Sequence, residues 1–312
     1  MFTVLGASGN IGSKVADALL KRGEQVRVVA RNPQKLEVFK KQGADLYLGQ
    51  IGDSAFLTKC FKDCVAAFVM IPPDYRSRSL GMHYQKMSES IRDAIRNSGI
   101  RYVVNLSSFG AEHASGTGPI QFLHAHEDRL NRLESCNLMH LRPAFFMENL
   151  MSFVPGIRQG HKVMTSLKAD LPIPMVASLD VARVATEHLL SREFEEKNVR
   201  CVLGPRDVSM MEICLFLSRV LEQRINYQQL SEQECQRSFI QNGVSDDVAR
   251  LFVEMYRAFN SGLINTISAR NETNTTTTKV EDFLRAFRGI FHEDSDLGKQ
   301  TDTYQEESPP QH

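Results

Sequence analysis

Thr3-Val4-Leu5-Gly6-Ala7-Ser8-Gly9-Asn10-Ile11-Gly12 is the stretch that decides the fold. A short apolar strand, Phe2 to Leu5, runs into three glycines spaced three apart. The residues that follow carry Ile11, Val15, Ala18 and Leu19 at helical spacing. Each glycine answers a different demand. Gly6 permits the tight turn, Gly9 lets a pyrophosphate approach the backbone, and Gly12 lets the helix pack closely on the strand. The first N–H groups of the helix and the positive end of its dipole then face an anion. A glycine triplet between strand and helix, with a second strand after it, is the pattern of a dinucleotide site; Ser8, Asn10 and Ile11 belong to the same turn.

The second strand, Gln25 to Ala30, ends at Arg31-Asn32-Pro33. An NAD site carries an acidic residue here, hydrogen-bonded to the ribose 2′-hydroxyl. Arg31, with Lys35 one turn on, instead offers cations to a 2′-phosphate, and NADP(H) is expected in preference to NAD(H). The plainer alternative is that Arg31 is a solvated loop charge.

Composition narrows the partners. Lys+Arg and Asp+Glu both total 37 in 312 residues, a balance that invites neither nucleic acid nor an acidic membrane. No run approaches the ~20 apolar residues of a bilayer span. A strand beginning at residue 2 leaves no room for a signal peptide, so a cytoplasmic protein is expected. The six cysteines form no metal-ligand or disulfide framework. Cys60 and Cys64, at i and i+4, read as buried thiols, and no metal is expected.

Strand and helix patterns alternate through the first half, predicting a doubly wound parallel sheet of the Rossmann type. Asp53 is placed to cap the helix leading to Lys62. Val65 to Ile71 reads as a strand buried on both faces, stopped by Pro72-Pro73, which open a loop at the cofactor crevice. A helix over about Leu80 to Asn97 precedes the strand Tyr102 to Leu106, which ends in Ser107-Ser108. Ala111 to Pro119 reads as a flexible polar loop. The expected divisions are a dinucleotide domain over 1–150, a small, mostly helical substrate lobe over 151–293 interleaved with the last sheet elements, and a disordered acidic tail over 294–312.

Together these residues resemble the NmrA-like family of atypical short-chain dehydrogenases. The resemblance rests on Gly6 to Gly12, Arg31-Asn32-Pro33, Ile71-Pro72-Pro73, Ser107-Ser108, Leu141 to Asn149 and Asp180-Val181-Ala182, spanning roughly residues 1 to 285. It implies a Rossmann domain with NADP(H) in the crevice. The family includes quinone, azo-dye and isoflavonoid reductases, and redox-sensing regulators that bind the dinucleotide without turnover.

The Tyr-x-x-x-Lys acid of the wider superfamily is missing, because no tyrosine lies between Tyr102 and Tyr227. The corresponding helix reads Ile120-Gln121-Phe122-Leu123-His124-Ala125-His126-Glu127-Asp128. His124 falls where the family places a lysine or histidine, with Asp128 one turn later. Three roles stay open for it: proton donor, cofactor ribose ligand, or helix histidine satisfied by Asp128. His126 and Glu127 read as surface residues. Ser107 and Ser108 either contact the nicotinamide or substrate, or satisfy backbone at a strand end. Phe145, Phe146 and Met147 line a flat apolar pocket, with Tyr75 as a lid, or else pack in the core. Asp180 reads as a helix cap. An NADP(H)-dependent reductase of a quinone or similar flat electrophile is the leading expectation. The alternative is a non-catalytic NADP(H) sensor that docks a protein partner.

Overall fold

The computed structural model describes residues 1–264, 270–286 and 288–292. Seven parallel strands form the central sheet: β1 (Phe2–Leu5), β2 (Val26–Ala30), β3 (Asp45–Leu48), β4 (Ala66–Val69), β5 (Tyr102–Leu106), β6 (Asn137–Pro143) and, after three strands outside this sheet, β10 (Lys197–Val202). Their spatial order is β10-β6-β5-β4-β1-β2-β3. The chain leaves β1 toward β2 on one side and later returns to β4 on the other, so a topological switch point lies between β1 and β4. Ligands of such sheets bind outside the carboxyl ends of the strands at that point.

Helices cover both faces. α1 (Gly12–Leu20) and α7 (Ser178–Ser191) pack on one, while α3 (Ser54–Phe61), α4 (Leu80–Ser98) and α5 (Ile120–Asn131) pack on the other. The strands sort their residues between these layers with a period of two. Val4, Val28, Phe68 and Val104 enter the core under α1 and α7. Leu5, Val29, Val69 and Val103 join Leu57, Ile91 and Ile95 on the opposite side. Each interior strand is therefore buried on both faces, as in a doubly covered parallel sheet, and the polar residues it carries (Thr3, Arg27, Asn105 and His140) are buried with it.

Asp53 caps α3 as expected, its Oδ1 accepting the Phe56 N–H at 3.0 Å. On α1, Ile11, Val15 and Leu19 are buried; Ala16 is buried in place of Ala18, which is half-exposed. The strand expected over 65–71 is the shorter β4; Val65 is exposed, whereas Ile71 is buried in the loop beyond. A short helix α2 (Glu37–Lys41) links β2 to β3. Beyond β6 come β7 (Phe145–Phe146), α6 (Val154–Gly160), β8 (Lys162–Thr165) and β9 (Ile173–Val176). After β10 follow β11 (Asp207–Val208), α8 (Met210–Leu221), β12 (Asn226–Gln229), α9 (Glu232–Gln241), α10 (Asp246–Ser261), α11 (Val280–Ala286) and α12 (Arg288–His292). The tail expected over 294–312 lies outside the described residues. Among the described residues no helix is long and apolar enough to cross a membrane, and no group of side chains could hold a metal ion.

Candidate functional site

The sheet brings the sequence-selected residues to one edge. Gly6 to Gly12 follow β1, Arg31 and Lys35 follow β2, Ile71 to Tyr75 follow β4, Ser107 and Ser108 follow β5, and Phe145 follows β6. These are the carboxyl ends of adjacent parallel strands, so residues more than a hundred positions apart come to one edge of the sheet.

The three glycines are not equivalent. Gly6 has φ +66°, and a Cβ there would lie 2.9 Å from Met70 Sδ. At Gly12 a Cβ would lie 2.3 Å from the Gly6 carbonyl oxygen and 2.8 Å from that of Leu5. Helix α1 is thus seated on the turn more closely than any side chain permits. Gly9 has a φ outside the left-handed region, and a Cβ there would meet only the Gly6 oxygen, at an ordinary 3.4 Å. The fold itself gives no reason for glycine at position 9. Ser8, Gly9 and Asn10 are exposed, while Ile11 turns into the core.

Arg31, Pro33 and Lys35 are exposed beside this turn. Asn32 fixes their backbone, its Oδ1 accepting the Gln34 N–H at 2.9 Å. On the β4 side, Pro72 donates no N–H, but its carbonyl accepts from His83 Nε2 at 2.8 Å. Tyr75 is not a bare flap. Its ring sits 5.8 Å from Phe252 of α10, and its carbonyl accepts the Ser245 N–H at 2.9 Å. Ser245 Oγ also donates to the Ser77 carbonyl, and Asp247 Oδ2 accepts the Leu80 N–H at 2.9 Å. The loop after β4 is therefore moored to the start of α10. The same helix lies against the loop after β5, where a Cβ on Gly118 would come within 2.0 Å of the Leu251 carbonyl oxygen. The stretch 111–119, expected to be a flexible polar loop, consequently has Ala111, Thr117 and Gly118 buried.

Ser108 Oγ donates to the Phe109 carbonyl at 3.0 Å, a local strand-end bond. Ser107 is buried, and its Oγ has no protein partner among the described residues. His124 lies half-buried on α5. Its Nδ1 bonds to the Ala111 carbonyl at 2.8 Å, and since a carbonyl can only accept, Nδ1 carries a proton. Nε2 is the nitrogen left facing outward, 3.4 Å from Asp128 Oδ2.

His126 and Glu127 are not surface residues; both are buried. The reason is their position on the face of α5 turned to α4 and β6. Ser88 Oγ accepts from Arg129 at 2.6 Å and is hydrogen-bonded to His126 Nδ1 at 2.7 Å. Burial, with help from nearby His140 and Arg129, pulls the His126 pKa down to about 3. His140, bonded to Asn105 and Asn131, is pulled down to about 4, again chiefly by burial. Glu127 accepts two bonds from Arg142, at 3.0 Å from Nε and 2.6 Å from Nη2.

Phe145 and Phe146 are half-buried and pair in parallel with Met175 and Val176 of β9. Met147 is fully buried and belongs to the core beneath them rather than to an exposed wall. Asp180 is not the cap of its helix. It is the third residue of α7, held by Arg183 at 3.1 Å and by the Thr278 N–H at 3.2 Å. The start of α7 is served from outside by Glu148, whose two oxygens each lie 3.1 Å from the Ser178 N–H and which also accepts the Ser178 hydroxyl. No local pattern signals this, because the partners are thirty residues apart. The Glu127–Arg142 pair is equally silent at a spacing of fifteen.

A sequence profile of the NmrA-like family matches residues 1–284. The chain belongs to the NmrA-like family. Among its curated relatives, the (4-alkanoyl-5-oxo-2,5-dihydrofuran-3-yl)methyl phosphate reductase of Streptomyces griseus is 30% identical over 74% of this chain and 77% of its own length. Quinone oxidoreductase 2 of Escherichia coli is 22% identical over 81% of this chain and 86% of its own. The fold of this NmrA-like chain is similar to that of Citrobacter sp. triphenylmethane reductase, solved in complex with NADP(H). That match has a TM-score of 0.79 at 19% identity and covers 92% of this chain and 99% of the other.

Proposed function

We propose that this NmrA-like protein is an NADP(H)-dependent reductase of a quinone or another flat electrophile. The observation that carries the reading is the contrast between Gly9 and its neighbours. Gly6 and Gly12 are required by the turn and by helix packing, whereas Gly9 is required by neither. A phosphate lying against the backbone at the start of α1 supplies the missing reason. Quinone oxidoreductase 2, an NAD(P)H azoreductase and a triphenylmethane reductase among the relatives and fold neighbours lend the chemistry support.

The residues present fit the cofactor. Ser8 to Gly12 would hold the pyrophosphate, Arg31 and Lys35 the 2′-phosphate, and Ile71 to Pro73 with Ser107 and Ser108 the nicotinamide end. The unpartnered Ser107 hydroxyl is a ready hydrogen-bonding group there. When bound, NADPH supplies a hydride. Phe145 and Phe146 offer apolar faces against which a flat acceptor is oriented, with Tyr75 bordering the same crevice. The reduced oxygen of a quinone is a stabilised anion, so no tyrosine acid is needed. Water, or His124 through Nε2 when the ring is doubly protonated, supplies the proton.

The test is incubation of the purified protein with NADPH and a panel of quinones, following loss of reduced-nicotinamide absorbance. Oxidation over many turnovers supports the reductase. Tight NADPH binding without turnover on any acceptor overturns it in favour of a dinucleotide sensor acting through a protein partner. Failure to bind either nicotinamide cofactor overturns both.

A further inference from the structure

We propose that Arg142 is a positioning residue that fixes the imidazole of His124 through two chain segments at once. The inference rests on reading His124 as the histidine that faces the substrate.

The guanidinium of Arg142 makes three contacts to two carboxylates. Nε and Nη2 bind the two oxygens of Glu127 at 3.0 and 2.6 Å, and Nη1 binds Glu112 Oε2 at 3.2 Å. Glu127 is three residues beyond His124 on α5, so the first hand of the arginine holds the helix that carries the imidazole. Glu112 is the neighbour of Ala111, whose carbonyl accepts from His124 Nδ1 at 2.8 Å. The second hand therefore holds the loop that fixes the ring's tautomer. Helix, ring, loop and arginine close a circuit. Its free product is a defined outward nitrogen, Nε2, on a ring whose side chain is one-quarter exposed.

Satisfying a buried carboxylate does not explain the whole arrangement. Glu127 has a side chain only 4% exposed and is fully served by the bidentate pair. Glu112 is 37% exposed, and an ion pair to so solvated a group adds little to stability. What the third contact does is place the Ala111 carbonyl. Only a planar fork can hold both carboxylates together; a lysine ammonium in its place is a single point charge on a flexible stem. The aspect of the ring shown to the crevice then depends on a residue of β6 that sits behind it, in the Arg142-Pro143 motif to which the sequence attaches no role.

The experiment is nitrogen-15 spectroscopy of the full chain labelled at histidine, with Glu112→Ala and Arg142→Lys compared to wild type and His124→Gln used to assign the signal. Both variants retain a partner-charge balance at Glu127 compatible with folding, and the His140 signal, held by Asn131, reports that the fold is intact. The expected result is a protected His124 Nδ1–H in wild type whose exchange is at least tenfold faster in both variants. A fall in kcat on the order of tenfold, with NADPH affinity within twofold of wild type, accompanies it. An unchanged His124 signal in both folded variants overturns the proposal. So does a change in Arg142→Lys alone, which would mean that the Glu112 arm positions nothing. If wild type shows no turnover, the reductase reading fails while the spectra still decide the positioning role.

Discussion

Substituting Gly9 and Gly12 separately should dissociate binding from folding. At Gly12 a Cβ would be 2.3 Å from a backbone oxygen and 2.6 Å from the adjoining carbon, neither of which can rotate away. That is about 1 Å inside ordinary contact, and α1 must move off the turn to relieve it. Gly12→Ala should therefore cost about 3 kcal/mol, the upper end of overpacking effects. At roughly 2–4 °C per kcal/mol, Tm falls by about 6–12 °C. At Gly9 the new methyl group meets only one oxygen, at 3.4 Å. Losing glycine's freedom in the unfolded chain should stabilise Gly9→Ala by about 0.4–1 kcal/mol. The same methyl group stands where the pyrophosphate approaches, so NADPH affinity should drop at least ~10-fold, or ~1.4 kcal/mol. Thermal denaturation without cofactor and fluorescence titration with NADPH measure the two effects. Wild-type affinity in Gly9→Ala would refute the ligand argument, and an unchanged Tm in Gly12→Ala would refute the packing argument.

Arg31→Glu should weaken NADPH binding far more than NADH binding in a side-by-side titration; equal losses would remove the 2′-phosphate role. His124→Gln should lower kcat with a quinone while leaving the NADPH dissociation constant within about twofold, and unchanged turnover would make the histidine structural. Glu127→Leu removes two of the three bonds to the largely buried Arg142 guanidinium and should destabilise the fold by about 3 kcal/mol in urea denaturation. Stability should also fall with acid. His126 and His140 are held at about 3 and about 4 when folded and return to about 6.5 when unfolded, so below pH 6.5 the unfolded chain binds protons that the native state refuses. The loss approaches ~3 kcal/mol per pH unit for the two together between about pH 6 and 4.5. His126→Gln should lower the measured slope by about 1.4 kcal/mol per pH unit, and an equal slope in the variant would refute the assignment.

How far the sequence discloses the site depends on the range of the interaction. The glycine turn, the Asp53 cap and the mainly apolar buried strands follow local rules, in which spacing alone dictates the conformation. The positions bordering the crevice are legible for the same reason, because each ends a strand. His126 and Glu127 read as surface residues because a helix segment by itself does not reveal how much of its circumference is covered. α5 is flanked by α4 and β6, so two polar residues face inward and acquire buried partners. Asp180 carries the signature of a cap, yet a carboxylate thirty residues upstream in the chain reaches that helix end first. Met147 shares the hydrophobicity of Phe145 and Phe146, but its position one residue on turns it beneath them.

The mooring of the β4 loop to α10 sets a timetable for synthesis. Leu80 and Asp247 are 167 residues apart, and Ser77 and Ser245 are 168 apart. Strands β1 to β5, by contrast, all lie within the first 106 residues. At ribosomal rates the interval between the two partners is roughly 10–30 s. Throughout it, the glycine turn and its flanking strands exist on a chain that does not yet possess α10. Contacts of such separation carry the largest closure cost and form after the local ones. The loop after β4 thus waits for its partner until most of the chain has been made.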